Sequence, residues 1–184
     1  GMRVCALRPG GIWGPGRGAM MIDAFVGELA KGAFKATIGN GATPLDNTHV
    51  ENVVDAQLLA AKALRTKGTV AAGKAYFVTD DERFDAMAWF QPIVEGLGHP
   101  FPKVRVPGAL MKKVAAALER AHHFGAPPPM ITVRSIRNLT EGAHFSIARA
   151  RAELGYAPRY RRAHIENILP ELARFQDGLR KGAA

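Results

Sequence analysis

Apolar residues fall into short continuous runs near the start of the chain and into helical spacings farther on. Residues 4–7 (Val-Cys-Ala-Leu) read as a buried strand that Pro9 and the Gly10/Gly11 pair bring to an end. From 19 to 31, Met20, Met21, Ala24, Phe25 and Leu29 recur at the period of a helix, and Gly32 is its stop. Residues 34–38 and 45–50 flank the turn-forming run Gly39-Asn-Gly-Ala-Thr-Pro44, which predicts a short hairpin. Thr48-His-Val-Glu51 has the form of a capping box, in which the threonine oxygen accepts an amide hydrogen while the glutamate reaches back. It opens a helix to about Arg65 with Val53, Val54, Ala56, Leu58, Ala60, Ala61 and Leu64 on a broad apolar face. Lys62 and Arg65 fall in its last turns, where the helix dipole favours cations. Residues 75–78 form the next buried strand, and strand, long helix, strand predicts a βαβ unit of a parallel sheet.

Beyond Thr79 the pattern becomes mostly helical. Thr79-Asp-Asp-Glu82 is a second capping-box pattern, followed by Met87, Phe90, Ile93 and Leu97 at helical spacing with Pro92 as a kink. A short strand is expected at 104–106, a helix from Pro107 to about His122, and a proline-rich loop at 124–129. Ser146 is the expected cap of a helix ending at Gly155, and 165–179 the terminal helix. In the helix from Pro107, Leu110, Val114, Ala117, Leu118 and Ala121 share one side, with Lys112, Lys113, Glu119 and Arg120 largely elsewhere. Such a helix suits a membrane surface; the commoner use, covering a pocket or the sheet, is the expectation.

Composition narrows the classes. The chain has 184 residues, 47% of them hydrophobic, and charges interrupt every apolar stretch, so no membrane span is expected. Cys5 is the only cysteine, which excludes a disulfide framework and makes a reducing cytoplasm the expected compartment. Gly1-Met2 resembles a processing scar before a start methionine. The net charge of +9 suggests nucleic acid, but basic residues are dense only at 134–137 and 149–162. No aromatic ribonucleoprotein motif, zinc-finger spacing or persuasive helix-turn-helix accompanies them, so no nucleic-acid partner is expected.

Two glycine-rich stretches imitate phosphate loops. Gly14-Pro-Gly16-Arg-Gly-Ala19 matches the dinucleotide pattern, yet Pro15 lacks an amide hydrogen and no acidic residue ends a second strand about 20 residues on. Gly68-Thr-Val-Ala-Ala-Gly73-Lys74-Ala75 lacks the hydroxyl that would hold magnesium, and a strand rather than a helix follows. The histidines suggest no metal site: His122 and His123 diverge around a helix, and His99, His144 and His164 are isolated. His49 lies in the first turn of a helix, where a structural role is expected over a catalytic one.

Four segments carry a resemblance. Leu7-Arg-Pro-Gly-Gly-Ile-Trp-Gly-Pro-Gly16, Asn47-Thr-His-Val-Glu-Asn-Val-Val-Asp-Ala56, Ala75-Tyr-Phe-Val-Thr-Asp80 and His144-Phe-Ser-Ile-Ala-Arg-Ala-Arg-Ala-Glu-Leu-Gly-Tyr-Ala-Pro158 follow one another as in the extended short-chain dehydrogenases. The chain resembles their 3β-hydroxysteroid dehydrogenase/isomerase-like branch. The resemblance implies an α/β fold comprising the carboxyl-terminal part of a Rossmann-type parallel sheet at 1–80 and a mostly helical substrate-binding or lid region at 81–184. It implies that Pro9, Gly10, Gly11 and Ile12 line a nicotinamide pocket, with Trp13 and Gly14 on the substrate side. The activity it implies is NAD(P)-dependent interconversion of hydroxyl and ketone on an apolar, sterol-like substrate. Phe101, Pro102, residues 127–130 and Phe145 are candidate lining. An alternative, nucleotide-sugar epimerisation or dehydration, would use Arg134 and Arg137 on phosphates.

The family's glycine-rich turn and its Tyr-x-x-x-Lys pair have no counterpart here: Tyr76, Tyr156 and Tyr160 are followed four places on by Asp80, Tyr160 and His164. In that chemistry the tyrosine passes the proton and the lysine lowers its pKa. The chain is therefore expected to be the carboxyl-terminal half of a larger enzyme. Alone, it is expected to be inactive and without bound NAD or NADP, with its first strand open to pairing in a homo-oligomer.

Overall fold

A computed structural model describes residues 1–16, 20–129, 131–142 and 144–182, together with all but the side chains of 20, 21 and 182. In chain order the first elements are β1 (Ala6–Pro9), β2 (Gly11–Trp13), α1 (Met20–Ala30), β3 (Thr37–Ile38), β4 (Pro44–Leu45), β5 (Asn47–His49) and α2 (Val50–Arg65). Then come β6 (Ala75–Val78), β7 (Phe84–Asp85), a 3-10 turn (Ala88–Phe90), α3 (Gln91–Gly96), β8 (Arg105–Val106) and α4 (Gly108–His123). The last are α5 (Val133–Thr140), α6 (Ala148–Leu154), a 3-10 stretch (Arg162–Asn167) and α7 (Leu169–Gly182).

The initial apolar run becomes an interrupted strand. β1 pairs in parallel with β6, Ala6 opposite Ala75, and β2 pairs in parallel with β5, Gly11 opposite Asn47. Gly10 is the joint between them. A β-carbon there would lie 2.3 Å from the Asp46 carbonyl oxygen, so only glycine lets the two strands approach this closely. Parallel pairing with a helix between β5 and β6 is the predicted βαβ arrangement. The strand begins at Ala6 rather than Val4 and is largely exposed rather than buried. Cys5 and Leu7 pack toward α2 and β6 while Ala6, Arg8 and Pro9 are exposed; among the described residues, β6 covers one edge of β1 and no strand covers the other.

Several local expectations give way to long-range pairing. The hairpin at 34–50 does not form: β3 pairs with β8, β4 with β7 and β5 with β2. Each short strand takes its ladder bonds from a partner distant in sequence rather than from its chain neighbour. The box at Thr48 is replaced by a histidine cap, since the Glu51 amide donates to His49 Nδ1. The Thr48 hydroxyl faces the sheet instead, donating to the Val78 carbonyl and accepting from the Gly10 amide. Thr79-Asp-Asp-Glu82 opens no helix; the chain extends through β7, and Pro92 stands in the first turn of α3 rather than kinking it. Ser146 accepts from the Ala148 amide, but Ile147 is the residue at the cap of α6. The terminal helix starts at Leu169, after the 3-10 stretch. α5 had no counterpart in the sequence reading; Thr132 and Ser135 cap it reciprocally.

Two cores result. One packs Trp13, Ile22 and Val26 against Trp89, Phe90, Ile93, Ile165, Ile168 and Leu172. The other packs α2 and β6 through Ala56, Ala60, Tyr76 and Val78 against Ile147, Ala150, Leu154 and Tyr156. Each draws residues from both sides of residue 80. No helix among the described residues is long and apolar enough to cross a membrane.

Candidate functional site

The carboxyl ends of parallel strands are where α/β sheets place their sites. Here β2, β5 and β6 end around one carboxylate, Asp80. The Trp13 indole N–H donates to Asp80 Oδ2 at 2.7 Å, while the His49 amide and the Asn52 side-chain amide donate to Oδ1 at 2.8 and 2.7 Å. The Asp80 amide donates in turn to the Asn47 carbonyl. Burial pushes the Asp80 carboxyl above its ordinary range, although these three donors pull it down.

Asn52 ties this centre to the tail. Its Oδ1 accepts from the Arg159 and Tyr160 amides, and its amide nitrogen also reaches the Tyr160 carbonyl at 2.8 Å. Tyr156 donates from its buried hydroxyl to the Thr79 carbonyl, and Asp46 accepts from the Phe145 amide while its other oxygen meets His144 Nδ1 at 2.8 Å. The four segments quoted for the resemblance thus converge through Asp46, Asn52 and Asp80. None of these three was singled out from sequence. The available signal was that each lies in or beside a quoted segment and carries the short polar side chain a strand end requires.

Each expected pocket residue can now be placed. Pro9 ends β1 and is exposed. The Gly10 amide is taken up by Thr48 Oγ1 and the Val78 carbonyl, and the Gly11 amide by the Asp46 carbonyl. Ile12 is exposed. Trp13 is 1% exposed, its ring meeting His49 and Trp89 edge to face at 4.7 and 5.5 Å. Gly14 holds φ +145°, and a β-carbon there would meet Val50 Cγ1 at 2.6 Å. His49 is buried, stacked on Tyr160 at 4.3 Å, and burial lowers its pKa, so the ring is a neutral structural cap.

The other candidates scatter. The Gly16 amide donates to Glu171 Oε2, which places a carboxylate where a phosphate loop needs room for an anion; residues 17–19, which complete that pattern, lie outside the described residues. Lys74 pairs with Glu153 at 2.8 Å. Phe101 and Pro102 line a cleft with Leu29, Phe34 and His99, while Phe145 stacks on Phe77. Met130 lies outside the described residues. Arg137 faces Glu141 on α5, and Arg134 is exposed on the same helix. Asn47 is buried with neither side-chain amide atom bonded to protein, beside a small cleft shared with Leu45, Asp80, Glu82, Phe84 and Trp89.

Comparison with known proteins now bears on this arrangement. The chain is 38% identical over 161 residues to a 3 beta-hydroxysteroid dehydrogenase/Delta 5-->4-isomerase of Mycobacterium tuberculosis, covering 87% of itself and 43% of that protein. It is 36% identical over 160 residues to human short-chain dehydrogenase/reductase family 42E member 1, covering 84% and 40%. The chain thus spans less than half the length of these relatives. Among solved structures, gox2253 superposes with a TM-score of 0.60 at 24% identity, covering 95% of this chain and 49% of that one. A UDP-glucuronic acid 4-epimerase from Bacillus cereus, solved with UDP-glucuronic acid and NAD, gives 0.59 at 12%, covering 95% and 45%, a likeness of Rossmann-type fold alone. Residues 1–107 match the 3-beta hydroxysteroid dehydrogenase/isomerase family, and with the sequence identities above this places the chain within it.

Proposed function

We propose that this chain supplies the substrate-side wall and lid of an NAD(P)-dependent oxidoreductase that interconverts a hydroxyl and a ketone on an apolar, sterol-like substrate. The observation that carries the proposal is the polar centre at Asp80, which fixes the ends of β2, β5 and β6 beside the β1–β2 joint, where Pro9 and Ile12 are exposed and Gly10 and Gly11 half-buried. The names of the mycobacterial relatives, 3-beta-hydroxysteroid dehydrogenases, supply the substrate class.

The residues present fit one wall of a nicotinamide subsite and not a dinucleotide cradle. The Gly10 and Gly11 amides are engaged in the sheet and the Gly16 amide with Glu171, so these three are not free to gather around a pyrophosphate. Pro9, Gly10, Gly11 and Ile12 are proposed to bound the ring by shape. Trp13 and Gly14 bound the substrate side, the indole acting as a rigid backing rather than a contact surface.

The tyrosines support inactivity of the chain by itself. Tyr76 is buried and donates to Glu153 Oε2 at 2.7 Å; burial, then the carboxylate, push it up to about 12. Tyr156 is raised as well, by burial and the Asp80 charge. A proton-relay tyrosine requires the opposite shift, toward the working pH. NADH and NADPH titrations of the isolated chain by fluorescence should show no saturable binding, and NAD-linked oxidation of a 3β-hydroxysteroid should show no turnover. Micromolar binding, or turnover lost on Tyr156→Phe, overturns the reading. The uncovered edge of β1 is proposed to pair with a second copy, so light scattering should give a mass above 19.8 kDa; a monomer refutes the pairing.

A further inference from the structure

We infer that the cleft at the carboxyl end of α1 is a binding site for a small apolar carboxylate. Two segments form it, residues 29–35 leaving α1 and residues 99–103 leading into β8, and the parallel pairing of β3 with β8 brings them together. The Thr37 amide donates to the Val104 carbonyl where that pairing begins. The cleft has a volume of about 330 Å³, in the range of small-molecule pockets. Its apolar wall is held in place: Leu29 is buried, and the Phe34 ring meets Phe101 at 6.0 Å and Phe25 at 5.0 Å. Phe25 in turn lies 4.4 Å from the ring of Phe90 in the core. The eleven residues of α1, a length of ~16 Å, separate the cleft from the end of the helix that follows β2.

Charge and hydrogen bonding select the occupant. Lys35 and Lys103 line the cleft and are exposed; neither has an ion pair among the described residues, and no Asp or Glu shares the lining. His99 Nε2 receives two donors from α7, the Gln176 side-chain amide at 2.9 Å and the Arg180 guanidinium at 3.2 Å. A ring nitrogen that accepts carries no hydrogen, so His99 is held as the Nδ1–H tautomer. Gln176 is 2% exposed, which fixes this arrangement from behind. The His99 ring lines the cleft, and its Nδ1–H donor has no partner among the described residues. The carboxyl end of a helix disfavours an anion, but the Gly27, Glu28 and Leu29 carbonyls already accept from the Lys31, Ala33 and Gly32 amides. One fixed neutral donor, two ammonium groups and an aromatic wall suit a monoanion carried on a flat apolar body. The inference does not depend on the catalytic reading.

The test is calorimetric titration of the full chain with naphthoate and with its neutral counterpart naphthalenemethanol, the site being mapped by amide NMR shifts. Naphthoate is expected to saturate a single site and to shift the amides of residues 29–35 and 99–103, with the alcohol binding about tenfold more weakly. Lys35→Ala with Lys103→Ala, both exposed, should weaken naphthoate about fivefold and leave the alcohol unchanged. His99→Phe keeps a ring in the wall but removes the donor, and should weaken naphthoate about tenfold. Phe101→Glu sets a carboxylate in the cleft and should abolish binding of the acid, while Leu58→Asp, exposed on α2, should change nothing. Absence of saturable naphthoate binding overturns the inference, as do equal affinities for acid and alcohol or shifts confined to other faces. Undiminished naphthoate binding in both the double-lysine and the Phe101→Glu variants overturns it as well.

Discussion

Replacing Asp80 by alanine tests whether one carboxylate holds the strand ends together. The substitution leaves the Trp13 indole N–H and the His49 amide without acceptors in a buried setting, while Asn52 keeps its bond to the Tyr160 carbonyl. Each orphaned buried donor costs about 1–3 kcal/mol, and removing a desolvated charge returns part of that, so the net loss should be ~3 kcal/mol. For a chain of this length that corresponds to a fall in Tm of roughly 6–12 °C. Urea unfolding followed by circular dichroism measures it, with an unchanged m-value showing that the folded surface is retained. A cycle with Trp13→Phe should return a coupling of about 1–2 kcal/mol for the indole–carboxylate pair. Asp80→Asn isolates the charge. Because burial raises the folded pKa of Asp80 above its unfolded value, its contribution is fully present below the unfolded pKa and declines as pH rises through the folded one. Wild type should therefore hold its largest advantage over Asp80→Asn in acid, narrowing toward neutral pH. A loss under ~1 kcal/mol in Asp80→Ala, or an advantage that grows with pH, would refute the reasoning.

Gly10→Ala should destabilise by ~3 kcal/mol or fail to fold, because the new methyl meets backbone rather than a movable side chain; thermal unfolding checks it. Tyr76→Phe should cost about 1 kcal/mol in urea and leave Glu153 paired with Lys74. The same tyrosine, raised from 10.0 to about 12, contributes stability that is complete below pH 10 and lost as pH approaches 12, so ultraviolet titration should show its tyrosinate, like that of the also raised Tyr156, appearing late and together with unfolding. Asn52→Ala should loosen the 159–160 segment from α2, read as faster amide exchange at Arg159 and Tyr160 with α2 itself still protected.

The chain's own residues determined the α2 helix to within a residue, the strand at Ala75–Val78, the span of α4, and the family, since apolar periodicity and proline or glycine breaks act over a few neighbouring positions. They also exposed the missing Tyr-x-x-x-Lys pair, which is a matter of spacing alone. Tertiary structure decided the rest. Thr48 fits a helix cap locally, yet its hydroxyl bridges Gly10 and Val78, 38 and 30 positions away. Residues 34–50 satisfy a hairpin's pattern but find better partners in β2, β7 and β8. Asp80 becomes a centre only because three elements end around it, and the cleft at His99 forms only where the segments leading into β3 and β8 meet. Local pattern specifies what a segment can become; which donors, acceptors and apolar faces remain open to fill is set by distant segments brought together on folding.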